Sequence, residues 1–124
     1  NYVGKMVIES MWAVSQWAGD FNPFHIHEGQ LSGVCYLRVP PSLPDEYAKE
    51  DHYPTVGDIC WFNGQAATFS GHKHQESPKV GDIFLFPNWL AHGVYPFRTP
   101  NEERRSVSFN LHLLKKDDPD PSNS

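Results

Sequence analysis

The sequence predicts an all-β fold, a jelly roll or small barrel with little or no helix. Aromatic residues make up 14% of the 124 residues, eleven prolines and nine glycines punctuate the chain, and the apolar runs between them are short. Short apolar runs bounded by turn formers are what strands burying one face require. About eight such runs and no repeats suit one small all-β domain. We place that domain at residues 1–116, followed by a charged, proline-containing tail at 117–124 that is expected to be disordered.

The elements follow in order. Residues 6–17, "MVIESMWAVSQW", mix β-formers with polar residues and read as one or two strands. "GDFNP" is turn chemistry, and "FHIHE" after it is short and alternating. "LSGVCYLRVP" is a strand stopped by Pro40 and Pro41. Residues 40–57 are polar and proline-rich. They read as a surface loop, with one helical turn after Ser42, which has Asp45 at the capping-box offset. "DICWFNGQAATFS" reads as two short strands about a tight turn at Asn63-Gly64. "GHKHQESPKVGD" is turn-like, "IFLFP" reads as a buried strand ended by Pro87, and "NWLAHGVYPF" as a bend and a further strand. "RRSVSFNLHLL" alternates clearly and forms the last strand.

A formal net charge of -5 argues against non-specific nucleic-acid binding, which needs a positive stripe facing the phosphates. No apolar run approaches the roughly 18 residues of a membrane-spanning helix, and no secretory signal is visible. We therefore expect no membrane association and a cytoplasmic location, although a chain that starts at Asn1 rather than Met gives the missing signal little weight. Cys35 and Cys60 lie in separate apolar runs without CxxC spacing; they read as buried thiols, with a single disulfide as the alternative.

His25 and His27 carry the first chemical signal. In an extended chain, residues i and i+2 project from one face, so both imidazoles can reach one ion at about 2.1 Å. The same spacing at His72 and His74 falls in a polar turn beside Lys73 and Glu76, where a surface role is expected. Only the first pair is joined by a third histidine, His92, after an aromatic run and a proline in "GDIFLFPNWLAH". Two ligands from an early strand and one from a late strand leave coordination positions open, as catalysis needs and structural zinc does not. Downstream, Arg104 and Ser106 share one strand face. An arginine inside an apolar barrel is expected to have an anionic partner, and with a serine beside it forms an acid-binding end. Arg105 has the opposite parity and should face outward, paired with Glu102 or Glu103. Trp12, Trp61 and Trp89 read as core or pocket wall.

"FHIHEGQLSGVCYLRVP", "VGDIFLFPNWLAHGVYPF" and "EERRSVSFNLHL" together resemble the small double-stranded β-helix proteins classed as 2-oxoglutarate/Fe(II)-dependent oxygenases, a group with uncharacterised bacterial and phage members. The similarity spans roughly residues 7 to 114. It implies a double-stranded β-helix (jelly roll) and Fe(II) held by His25, His27 and His92. It also implies 2-oxoglutarate as cosubstrate, its distal carboxylate on Arg104 and Ser106, with Tyr36 and Asn110 as further hydrogen-bonding candidates. The implied reaction is hydroxylase-type C–H oxidation coupled to decarboxylation of 2-oxoglutarate to succinate. The wider superfamily has a carboxylate where this chain has His27, so His27 is either a third nitrogen ligand or cedes the early position to His25. Equally, His27 could be the sole early ligand, with His25 behind it.

"GDFNPFHIH" also fits a cupin pattern, and "GDIFLFPNWLAH" much of a second one. A cupin-type metal-dependent enzyme and a non-catalytic jelly-roll binding module are therefore the alternatives. Failure of the three histidines to converge would favour the module; convergence with Arg104 turned to solvent would favour the cupin. The expected partner is a small-molecule or peptidyl substrate, with a homodimer as an open possibility.

Overall fold

The computed structural model describes residues 2–120, with side chains from Gly4 onward. Its eight strands are β1 (Tyr2–Gln16), β2 (Asn22–His25), β3 (Leu31–Arg38), β4 (Ile59–Phe62), β5 (Lys73–Glu76), β6 (Ile83–Pro87), β7 (Ala91–Val94) and β8 (Arg104–Lys115). One helix, α1 (Leu43–Lys49), interrupts them. The strands form two four-stranded antiparallel sheets, ordered β1-β8-β3-β6 and β2-β7-β4-β5. This is a jelly roll. Val34, Tyr36, Ile59, Trp61, Phe86 and Val94 are buried together as its core. No helix among the described residues is long and apolar enough to cross a membrane.

Residues 2–16 are one strand, bulged between Ile8 and Ser10, and pair along nearly their whole length with β8. Pro23 falls inside β2, where the sequence suggested a turn. Proline has no N–H for a ladder, but β2 is an edge strand and tolerates it. The turn lies earlier: Trp17 and Asp20 exchange hydrogen bonds, the Trp17 N–H donating to the Asp20 carboxylate at 2.8 Å.

Several expectations are corrected. The hairpin after β4 is not a tight Asn63-Gly64 turn with "AATFS" returning. Phe62 pairs with Lys73, so the connection runs over residues 63–72 and the polar segment Lys73–Glu76 is the partner strand. "IFLFP" is not buried throughout: Phe86 points into the core, while Ile83 and Leu85 are exposed on the outer face of an edge strand. That face is apolar across the whole sheet, with Ile8 and Met11 exposed on β1 and Val107 and Phe109 between them on β8. The helix spans seven residues rather than one turn. It starts with Pro44 in its first turn, and the Ser42 hydroxyl donates to Glu102 at 2.6 Å instead of capping it. Leu43 of α1 is buried against Val56 and Phe97, so residues 40–57 are anchored to the domain rather than simply solvated. Trp89 is exposed and lines a surface pocket with His72 and His74 rather than packing in the core. Cys35 and Cys60 are free thiols. At the start of the expected tail, residues 115–118 form a turn, Asp120 pairs with Lys5, and residues 121–124 lie outside the described residues.

Candidate metal centre

The β2–β7 pairing builds the first half of the site. His25 and His92 lie directly opposite each other in register, with ring centroids 4.3 Å apart. β2 ends at His25, so His27 is not on a strand as the alternation suggested. It nevertheless turns to the same side, because its backbone is clamped by Asn88. The His27 N–H donates to the Asn88 carbonyl at 3.0 Å, and the Asn88 amide donates back to the His27 carbonyl at 3.2 Å. Trp12 of β1 stacks on the His27 ring at 5.7 Å, and Phe86 packs against His92 at 4.6 Å.

The three histidines converge. His27 Nε2 lies 3.1 Å from His25 Nε2 and 3.0 Å from His92 Nε2. Among the described residues they are the one group of three or more His, Cys, Asp or Glu side chains able to hold a metal. Glu28 is exposed and outside the group, as are His72 and His74, the latter bonded to Glu76 at 2.8 Å.

The donor chemistry fits a cation. His25 Nδ1 lies 2.6 Å from the Pro23 carbonyl and His92 Nδ1 lies 3.1 Å from the Leu90 carbonyl. A carbonyl only accepts, so each Nδ1 carries the proton and each Nε2 presents a lone pair. These lone pairs face His27 Nε2, and at most one proton there can mediate between them; a metal ion satisfies all three. This Nδ1–H···O=C support is the usual way a metal-bound imidazole is oriented. Burial first, then the neighbouring rings, push the His92 imidazole down to about 4, against the opposing pull of the Leu90 carbonyl; burial also lowers His27. Both are neutral near pH 7, the ligating form. Nitrogens about 2.1 Å from one ion stand about 3.0 Å apart at a right angle and about 3.4 Å apart at the tetrahedral angle. The two close separations match the right angle, and all three ligand atoms lie within 4.8 Å of one another.

The same cavity, of about 60 Å³, is also lined by Gln16, Tyr36, Arg104, Ser106 and Ser108. Arg104 is 1% exposed, pointing inward as expected. Its partner is not the anion expected from the sequence. Gln16 Oε1 accepts from Nε at 3.0 Å and from Nη2 at 2.6 Å, and the Gly57 carbonyl accepts from Nη1. All three bonds go to neutral oxygens. Burial pulls the guanidinium down to about 10, still charged at neutral pH. Tyr36, opposite Ser106 in register, is pushed up to about 12 chiefly by burial and keeps its proton. Arg105 faces outward and forms a two-bonded pair with Glu103 at 2.9 Å. Asn110 shares the inward face of β8 but lies outside the cavity lining, bonded to Ser10 and Ser32.

The family profile described as "Putative 2OG-Fe(II) oxygenase" matches residues 10–110, a span that holds all three histidines, Arg104 and Ser106. The chain belongs to this oxygenase family. No curated protein matches it. Arg104 points inward and is buried, not turned to solvent as would have favoured the cupin alternative. Two residues of the candidate site escaped the sequence reading. Gln16 has a signal in hindsight, since Trp12, Val14 and Gln16 share parity and line the cavity together. Asn88 has none: nothing in "PNWLAH" marks it as the clamp on His27.

Proposed function

We propose that the protein is an Fe(II)- and 2-oxoglutarate-dependent dioxygenase. It hydroxylates a C–H bond of a small-molecule or peptidyl substrate and converts 2-oxoglutarate and dioxygen to succinate and carbon dioxide. One observation carries this reading: a single cavity combines three imidazoles aimed at a common point with a buried guanidinium whose partners are all neutral. A buried cation without a hydrogen-bonded anion is costly, and an acceptor-only carboxylate relieves that cost.

His25, His27 and His92 would hold the iron, which when bound supplies dioxygen activation and the oxidising power for C–H cleavage. The chain's own residues place the reactants. Arg104 and Ser106 take the distal carboxylate of 2-oxoglutarate, and the protonated Tyr36 hydroxyl donates a further hydrogen bond. Asn110 is already engaged with Ser10 and Ser32 and has no part in this reading. Trp12 and Phe86 flank the imidazoles and keep water off the ligand nitrogens. A cavity of about 60 Å³ holds only a few waters, so the cosubstrate enters as lining side chains move. Trp12, 37% exposed, is the least confined of the aromatic ones.

The test is turnover. Iron-loaded protein given 2-oxoglutarate in air should release succinate slowly without a second substrate, and faster when the right one is supplied. Absence of succinate from protein shown to contain iron would refute the proposal.

A further inference from the structure

We propose that Gln16 is a second anchor for the distal carboxylate and the residue that makes this end of the cavity specific for an anion; this rests on the 2-oxoglutarate reading of the site. Gln16 ends β1 directly opposite Arg104 and is 8% exposed. Its amide orientation is dictated by its neighbour. Arg104 has only donors, so the oxygen of Gln16 must face it, as the bonds from Nε and Nη2 show. The Gln16 nitrogen is therefore turned elsewhere, and it has no acceptor among the described residues although the side chain lines the cavity. Arg104 has five N–H donors and makes three bonds, leaving two without an acceptor among the described residues.

Gln16 and Arg104 line the same small cavity, and each keeps N–H donors that no described residue accepts. A carboxylate, which only accepts, satisfies both. A neutral amide or hydroxyl end can also accept, but it brings no negative charge to set against the guanidinium and binds these donors more weakly. The choice of glutamine over glutamate is functional. A glutamate would bind the same guanidinium edge but neutralise it, whereas glutamine holds Arg104 in place without a directly bonded anion until the ligand arrives.

The test is calorimetric binding to protein loaded with Mn(II), a redox-inert substitute for iron, under conditions without turnover. The probes are 2-oxoglutarate and 2-oxopentanoate, a 2-oxo acid of the same length without the distal carboxylate. Wild type should prefer 2-oxoglutarate. Losing one hydrogen bond to a charged group corresponds to about 10- to 100-fold in affinity. Gln16→Met should therefore cut the preference by that factor through weaker 2-oxoglutarate binding, with 2-oxopentanoate unchanged. Gln16→Glu should remove the preference altogether. Mn(II) stoichiometry reports whether each variant is folded, and the near-isosteric Gln16→Met decides if Gln16→Glu does not fold. Wild-type preference retained in Gln16→Met, or equal weakening of both acids, overturns the inference. A wild type that does not distinguish the two acids instead overturns the carboxylate role of Arg104, and the role of Gln16 with it.

Discussion

Arg104→Met tests the anion end of the cavity. Burial lowers the guanidinium from 12.5 to about 10, and at 1.36 kcal/mol per pH unit this is roughly 3 kcal/mol of penalty on the charged form. Methionine removes that penalty but leaves the Gln16 and Gly57 oxygens without their donor, at about 1–3 kcal/mol each. The two effects largely cancel, so the variant should fold with stability from near wild type to about 3 kcal/mol below it. Ligand response should differ far more. At a hundredfold excess over Kd, 2-oxoglutarate stabilises the protein that binds it by about 2.7 kcal/mol. For a chain of this size that raises Tm by on the order of 10 °C. The assay is thermal unfolding of Mn(II)-loaded protein with and without 2-oxoglutarate. Wild type should show the shift and Arg104→Met almost none, while Mn(II) alone stabilises both equally. Equal shifts with 2-oxoglutarate would refute the assignment of Arg104.

Other substitutions probe the rest of the structure. His92→Ala should abolish stoichiometric Fe(II) binding in anaerobic equilibrium dialysis, whereas His27→Asp should retain it; wild-type affinity in His27→Ala would remove His27 from the ligand set. Gly57 has φ +70, and a Cβ there would lie 2.8 Å from Leu43 of α1, so Gly57→Ala should cost about 1–3 kcal/mol in urea unfolding. It should also weaken 2-oxoglutarate binding, because the Gly57 carbonyl holds Arg104. The Ser15 hydroxyl foremost, then Arg105 and Arg38, hold the Glu103 carboxyl below its ordinary 4.5. Its contribution is therefore complete above about pH 4.5 and lost as pH falls through the lowered value. The gap in urea midpoint between wild type and Glu103→Gln should shrink from neutral to acid pH; a constant gap would contradict this.

The convergence of His25, His27 and His92 was legible because parity and spacing survive small errors in strand assignment. His27 lies beyond the end of β2, yet its side chain still turns inward, since the Asn88 clamp keeps the segment extended enough to preserve the alternation. Arg104 was legible for the same reason, on a long alternating strand. Its partner was not. The rule that a buried cation bonds an anion fails here: the three hydrogen bonds of Arg104 go to neutral oxygens, and Asp58 acts on it only through space. The misread hairpin has a different cause. Gly64 does adopt a turn conformation, φ +76, but the chain does not reverse there. The true partner, "KHQE", has no β-branched residue to announce a strand and is held by its register with β4. "IFLFP" was misread because both faces of β6 are apolar, so a run exposed on one side looks like one buried on both.

The most direct test of the three histidines and Arg104 acting as one site is anaerobic titration of the metal-free protein with Fe(II) and then 2-oxoglutarate, followed by absorbance. The expected result is one Fe(II) per chain. A metal-to-ligand charge-transfer band should appear only when both are present, be lost in His92→Ala, and require much higher 2-oxoglutarate in Arg104→Met. Fe(II) binding that persists in His92→Ala, or a band whose 2-oxoglutarate dependence is unchanged in Arg104→Met, would contradict it.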